Sequence, residues 1–492
     1  MYKKVILLIF LIGVLAVNTN AQWTEPIPIT SDPSLMIPRA VAIDDTIHVV
    51  ATTVATIYYL RSNNNGISWT DPINPPDTFY SSWGNDIFFA DGTLCIAFYG
   101  RVHSGDPPKC YFMKSSDGGR NWNDPVEVFH LAWKYPRLAA KGDTLFYSIC
   151  LPQIILMRSY NSGINWDGPF IIEADSGMYI DSPPNLFYND GRLHAIYQCG
   201  LVYDSVGIEV YYRLSDDHGQ TWSERIPLST PEPVPYHQHS QSPSATIDSS
   251  GNILALWFDY KYGSACGYTG DILGRISTDN GESWLPETRI THTQTGSYST
   301  CLINDNVLYS IWMDDFPRGC DLPKLMYAIS DNWGNSWTIP EVIDDLPIPT
   351  EYEPFLLTTG DSLSLKYHCI FRGNTFPGHD LFYTNSDTFT DIVFTESQKI
   401  PDDFGIRVYP NPFNSQTVIA FNGTEGGENY IEIYDINGRL VKTLDLNGTE
   451  GGDKRAIWDA TDALGNRVSS GIYFARATGG GNNMTIKLVY LK

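Results

Sequence analysis

The chain has 492 residues, enough for two to four domains at roughly 100 to 200 residues each, and this excludes a core-poor peptide. With 32 Lys+Arg against 56 Asp+Glu the formal charge is -24, and such a surface repels phosphate backbones and anionic lipid, which argues against nucleic acid and membrane surfaces as partners. Charged residues at 18%, aromatics at 13%, 41 Gly and 31 Pro exclude disorder and coiled coil and point to turn-rich β structure.

In chain order, Met1 to Ala21 comes first. Lys3 and Lys4 precede the apolar run Val5 to Val17, and Thr19-Asn20-Ala21 supplies a small-residue cleavage site, so residues 1–21 read as a secretory signal peptide. The run is shorter than the ~20 residues that cross a bilayer, and no later segment is long and uncharged enough, so no membrane span is expected. Eight cysteines in an exported chain permit disulfides. Cys95 and Cys110 flank a polar turn and could be cross-strand neighbours, and Cys266 and Cys320 could form a second bridge. Cys150, Cys199, Cys301 and Cys369 read either as bonded or as buried small hydrophobes.

One phrase occurs six times: SNNNGISW from Ser62, SSDGGRNW from Ser115, SYNSGINW from Ser159, SDDHGQTW from Ser215, STDNGESW from Ser277 and SDNWGNSW from Ser330. A period near 50 residues filled with short strands predicts a propeller of four-stranded blades. Each phrase is a hairpin staple in which Ser and Asp/Asn bond turn backbone, Gly takes φ > 0 and Trp covers a blade interface. Asp117, Asp217, Asp279, Trp122, Trp222 and Trp284 are therefore read as structural. Before each phrase lie two apolar strands, and a seventh such pair, Pro354 to Cys369, leads to a degenerate TNSDTF. After each phrase a proline-containing outer strand follows, as in WTDPINP or WNDPVEV, and WTEPIPIT at Trp23 to Thr30 belongs to that series. It has no blade before it, so it should close the seventh blade and remove an exposed edge.

The phrase resembles the Asp-box, S-x-D-x-G-x-T-W, of the bacterial neuraminidase repeat in sialidase-like propellers. The fold expected over residues 22–394 is thus an all-β, seven-bladed propeller, with the six blades of sialidases as the alternative. After a polar linker at 395–405, residues 406–492 form a different domain. VYPNPF at Val408, YIEIYDINGRLVKTL at Tyr430 and GIYFA at Gly471, with the Asn437-Gly438 turn, describe a small immunoglobulin-like β-sandwich. Tyr409-Pro410-Asn411-Pro412, IYDINGRLV, Trp458-Asp459, Ser470-Gly471-Ile472-Tyr473 and Lys487-Leu488-Val489 resemble the C-terminal sorting domain of type IX secretion substrates. That resemblance implies a partner in the type IX machinery and release or anchoring outside a Gram-negative outer membrane.

Ligand sites of propellers gather where inner strands begin. Those starts offer Arg39, Asp86, Arg137, His237, His239, Tyr298 and Glu353, a mixture of cations, carboxylates and aromatics suited to an acidic sugar. In the sialidase family three arginines clamp a carboxylate sugar, a Tyr paired with a Glu is nucleophile and an Asp is acid/base. SYSTCL at Ser297 resembles the tyrosine motif, so the resemblance makes Tyr298, Glu353 and Asp86 the catalytic candidates and Arg39, Arg137, His237 and His239 the substrate-binding ones. The family's Arg-Ile-Pro motif appears as Ile37-Pro38-Arg39, its order altered. No carboxylate cluster at metal spacing accompanies the histidines, and no cofactor is implied. The expected function is a secreted or surface exo-glycosidase or related enzyme of extracellular glycans or polysaccharides, with a sialidase-like hydrolase ahead of a polysaccharide lyase. A non-catalytic glycan- or protein-binding propeller is the competing reading.

Overall fold

The computed structural model describes residues 23–30, 35–53, 55–75, 79–131, 136–174, 184–201, 207–230, 240–263, 269–314, 324–343, 350–360, 366–375, 378–387, 405–409, 417–422, 430–435, 439–445, 453–479 and 482–490. The chain divides into two compact units, Met1–Thr390 and Asp391–Lys492. Regular structure among the described residues is β throughout.

The first unit holds seven antiparallel sheets among the described residues, six formed by consecutive strands and the last completed by the N-terminal strand Ile27–Pro28. Their inner strands are Met36–Ile43, Ser81–Ala90, Arg137–Lys141, Asn185–Asn189, Ser240–Ile247, Gly296–Asn304 and Thr350–Thr359. Each inner strand neighbours the next, and the seventh returns to the first, so the sheets are the blades of a closed propeller. A blade is covered on both faces by its neighbours, and its second strand therefore reads as a continuous apolar run. In blade 5 that strand, Ile253–Asp259, is buried at every position. Inner strands, open to the central axis, are mostly half-buried.

The N-terminal segment closes the ring as its sequence suggests. Ile27 and Pro28 pair with Tyr383 and Phe382 of blade 7, Trp23 bridges to Ser386, and Thr24 N–H donates to Asn385 O at 2.8 Å. Ile29 and Leu35 join Ile47 and Leu60 of blade 1 and Ile370, Leu381 and Tyr383 of blade 7 in one core.

The six repeated phrases form one turn. In blade 4 the Ser215 hydroxyl donates to Asp217 Oδ1 at 2.8 Å and accepts Gly219 N–H at 2.8 Å, while Thr221 N–H donates to Asp217 Oδ1 at 2.8 Å. Asp279 and Asp117 repeat this around Ser277 and Ser115. The Asn121 and Arg120 backbone donors and the Asn121 and Ser115 side chains hold the Asp117 carboxyl down at about 2. Trp122 lies edge-on to Tyr59 of blade 1 at 5.2 Å and Trp284 to Tyr212 of blade 4 at 5.1 Å, while Trp222 packs on the core shared by blades 3 and 4.

Cys95 and Cys110 are unbonded, which corrects the expected bridge. Cys95 is opposite Lys114 and Cys110 opposite Tyr99, because the hairpin turn is offset from the midpoint between the cysteines. Burial pushes both thiols up to about 12, so they behave as small core hydrophobes. Cys150, Cys199, Cys301 and Cys369 are likewise buried, while Cys266 and Cys320 lie outside the described residues.

The second unit is a sandwich. One sheet orders Leu440–Asp445, Tyr430–Asp435, Gly471–Gly479 and Asn482–Tyr490, and the other Gly405–Tyr409, Thr417–Asn422 and Asp453–Trp458. Ile419, Ile431, Ile433, Trp458, Tyr473 and Leu488 fill its core. The Asn437-Gly438 turn lies outside the described residues, but the strands on either side of it pair antiparallel.

Two measurements check this architecture. Removing residues 23–30 should lower the melting temperature by several degrees and produce association on size exclusion, since an unpaired blade edge is exposed; an unchanged melt means that the ring does not depend on this strand. A Cβ at Gly281 (φ +84°) would stand 1.8 Å from the Tyr212 hydroxyl, whereas one at Gly92 (φ +74°) would meet nothing within 4 Å. Gly281→Ala should therefore cost about 3 kcal/mol or more and Gly92→Ala about 1 kcal/mol in urea unfolding, and equal costs would show that the glycine contact is dispensable.

Candidate functional site

The repeated turns occupy the end of the propeller opposite the starts of the inner strands. At those starts the backbone is kinked. Register shifts at Met36/Arg39, Trp83/Asn85, Gln241/Ser244 and Ser297/Thr300 accompany left-handed residues at Ile37 (φ 52°), Gly84 (φ 53°), Ser242 (φ 50°) and Tyr298 (φ 41°). For the non-glycine residues this conformation costs of order 1 kcal/mol or more each. Its recurrence in four blades makes the bulge a property of the repeat. What it does is re-aim the residues that follow.

Seven residues then share one register position around the axis: Arg39, Asp86, Arg137, Asn185, Ser244, Thr300 and Phe355. All seven are half-buried, as expected of side chains lining a narrow channel. Several also clasp the next blade: Asp86 Oδ2 accepts Leu138 N–H at 2.8 Å, Asn185 Nδ2 donates to Pro243 O at 2.7 Å, and the Ser244 hydroxyl lies 3.3 Å from that of Ser299. The charged members stand on consecutive blades, Asp86 between the two arginines. Burial pushes the Asp86 carboxyl up, opposed by the Arg137 guanidinium, Leu138 N–H and Arg39. Arg39 donates to Pro38 O at 3.0 Å with its guanidinium 5.7 Å from the centre of the Phe355 ring, and Arg137 donates to Pro136 O at 3.2 Å. This register position thus carries two cations and one anion on blades 1 to 3, neutral hydrogen-bonding groups on blades 4 to 6 and an aromatic ring on blade 7.

The other sequence candidates are placed differently. Tyr298 is a bulge residue whose half-buried ring tilts against Phe258 of blade 5 at 6.0 Å. Glu353 lies within the strand Thr350–Thr359, its side chain outside the described residues, as are His237 and His239 altogether. The described contacts therefore join Arg39, Asp86 and Arg137, and leave Tyr298 on another blade.

Sequence reasoning missed a second group. Glu209, on the third strand of blade 4, lies beside Ser240 and Asp259 of blade 5, all three buried. The Ser240 hydroxyl is 2.7 Å from Asp259 Oδ2 and 3.2 Å from Glu209 Oε2, and the Ser229 hydroxyl also donates to Glu209. One hydroxyl has one proton and cannot serve two carboxylates at once. Burial, reinforced by Asp259, raises Glu209 to about 7, against the Ser229 and Ser240 hydroxyls and Lys261. Lys261 Nζ is ion-paired to Glu287 and lies 3.8 Å from Asp259 Oδ2. The available signal was a lone carboxylate amid the apolar strand Gly207–Ser215. Among the described residues no group of three or more His, Cys, Asp or Glu is arranged to hold a metal ion, and no helix is long and apolar enough to cross a membrane.

Residues 407–491 match the family described as Secretion system C-terminal sorting domain. No curated protein matches the chain in sequence. Among solved structures, the α-L-arabinofuranosidase Arb93A of Fusarium graminearum is similar at 13% identity, with 74% of this chain and 98% of that one covered and a TM-score of 0.47. The polysaccharide lyase Uly1 gives 9% identity, 76% and 94% coverage and a TM-score of 0.48. Trypanosoma rangeli sialidase gives 11% identity, 94% and 89% coverage and a TM-score of 0.43. Likeness at this level carries no inference about activity. The sorting domain, by contrast, assigns the chain to type IX secretion and to the outer surface or extracellular space.

The Glu209 group predicts a pH effect. A carboxyl whose folded value is about 7 against an ordinary 4.5 binds protons more readily folded than unfolded, so its contribution to stability is full below 4.5 and is lost as pH rises to about 7. Glu209→Gln, which mimics the protonated acid, should gain of order 3 kcal/mol relative to the parent between pH 5 and pH 8. His48 and His194, lowered to about 4 by burial, act with the opposite sign in both proteins and cancel in that difference. A constant difference across this range in urea melts means that Glu209 holds no extra proton.

Proposed function

We propose that this is an extracellular glycan-directed propeller whose site is the axial mouth, and that its ligand is a sugar carrying a carboxylate. The observation that supports it is the ring at one register position, with Arg39 and Arg137 flanking Asp86, hydrogen-bonding Asn185, Ser244 and Thr300 across the channel, and Phe355 beside Arg39. Two guanidiniums against one carboxylate leave a net positive charge, which suits an anionic group. Guanidinium meets carboxylate with two parallel bonds. The neutral residues suit hydroxyls, and the aromatic face an apolar sugar surface.

In the enzymatic form of this reading Asp86, its carboxyl raised by burial, keeps a proton for the leaving oxygen of the glycosidic bond. Tyr298, with Glu353 as its base, attacks the anomeric carbon, and water later releases the glycosyl group. Two observations favour the competing, purely binding form. Asp86 is already engaged as a clasp to Leu138, and Tyr298 packs on Phe258.

A fluorogenic sialoside and a panel of uronate-containing polysaccharides test both forms. Arg39→Ala should weaken saturable binding by about 2 kcal/mol or more, some thirtyfold. Under the enzymatic form Tyr298→Phe abolishes turnover and preserves binding; under the binding form no substrate is turned over and Tyr298→Phe changes nothing. Undiminished affinity in Arg39→Ala would move the site away from the axis.

A further inference from the structure

A second feature lies on the same end of the molecule but on the outer side of blade 5. Tyr262, in the connection between the second and third strands of that blade, exposes 42% of its surface. Its ring is nevertheless fixed. The Arg289 guanidinium lies over one face, 3.9 Å from the ring centre, and Lys261 Nζ stands 5.8 Å away. Arg289 is itself tied down, with Nη2 2.6 Å from Asp271 Oδ2 and Nε donating to Thr291 O at 3.0 Å. Asp271 is fully buried and also accepts from the Thr291 hydroxyl at 3.0 Å and Gln294 N–H at 3.1 Å.

The backbone is held as firmly as the ring. Gln294 Nε2 donates to Tyr262 O at 2.6 Å, and Gly263, at φ +106°, closes a tight turn by donating to Tyr260 O at 2.7 Å. Among the described residues the Tyr262 hydroxyl has no hydrogen-bond partner. An aromatic ring left in water contributes little to folding, whereas ordering it costs rotamer entropy. Holding a partly exposed ring in place, with cations over it and a polar tip unused, is the arrangement of a binding platform. A flat ring with a hydroxyl at its edge matches the C–H face and peripheral hydroxyls of a sugar.

We propose that Tyr262 is a stacking subsite for one sugar ring of a glycan chain that also reaches the axial mouth. This rests on the glycan reading above and deepens it: the ligand is an oligomer or polymer spanning two contacts, and not a terminal sugar alone. Two linked contacts raise affinity for a chain without affecting a short fragment that reaches only one.

The test uses the full mature chain with two soluble probes, a polygalacturonate and a hyaluronan, and with disaccharides prepared from each, measured by calorimetry. Tyr262→Ala should weaken binding of the preferred polymer about tenfold and leave the disaccharide unchanged, Tyr262→Trp should preserve polymer binding, and Arg39→Ala should weaken both. Melting curves of Tyr262→Ala should match the parent, since the ring is exposed; if they do not, Arg289→Lys, which loosens the clamp and leaves the ring in place, should give a smaller loss in the same direction. Polymer binding by Tyr262→Ala equal to the parent overturns the subsite and leaves the axial reading intact. If the parent binds none of the probes, the glycan reading itself fails and the subsite with it.

Discussion

Six of the seven blades are each locked to the one before by a glycine that has no room for a side chain. The glycine of every repeated turn sits against the third strand of the preceding blade: Gly66 on Tyr383, Gly119 on Tyr59, Gly163 on Phe112, Gly219 on Leu156, Gly281 on Tyr212 and Gly334 on Ile276. All six have φ between 73° and 84°, so the close approach and the turn make the same demand on the residue. The tryptophan of the same turn covers that neighbour from the side, as Trp69 does Tyr383 at 5.3 Å and Trp166 does Phe112 at 5.4 Å. Where the third-strand residue is tyrosine, a buried histidine completes the joint: His48 with Tyr59, His194 with Tyr212 and His368 with Tyr383, at 2.7, 2.9 and 2.6 Å.

Blade 7 carries the degenerate TNSDTF in place of the repeated phrase, so its sequence supplies no tryptophan for the junction between blades 6 and 7. Trp23 from the N-terminus fills that place, edge-on to Tyr327 at 6.3 Å. Tyr309 and Tyr367, their hydroxyls 2.7 Å apart, complete the wall, leaving room for no more than about one water molecule. The closing segment therefore supplies a side chain as well as a strand edge. In this respect WTEPIPIT is the detached second half of a seventh repeat.

With the blades fastened at the turn end, the other end can vary. The inner-strand bulges and the loops facing them carry groups that the lock does not use: the charged trio of Arg39, Asp86 and Arg137, the buried Glu209 carboxyl beside Ser240, and the clamped ring of Tyr262. Their polar atoms are partly spent on clasps between blades, as with Asp86 and Leu138. Site and scaffold are therefore coupled here, and a change in charge at the mouth is felt in the fit of neighbouring blades.

The sequence by itself determined the repeat, the seven-blade count, the closing strand and the separate sandwich, because each rests on local chemistry. A Ser-x-Asp-x-Gly turn makes its own hydrogen bonds, and a strand covered on both faces must be apolar throughout. It also placed Arg39, Asp86 and Arg137 near the starts of inner strands. That these stand at one register position was decided by the tertiary structure, through bulges that no spacing rule in the chain announces. The same holds for Glu209 with Asp259 and for Tyr262 with Arg289, pairs separated in sequence and brought together only by adjacent strands or blades. Cys95 and Cys110 show the reverse: near in sequence, they are kept apart by a hairpin whose register follows the burial of its strands and not the positions of its sulfurs. Contacts within a turn are written in a few consecutive residues, whereas contacts across a blade junction depend on where two independently registered sheets meet.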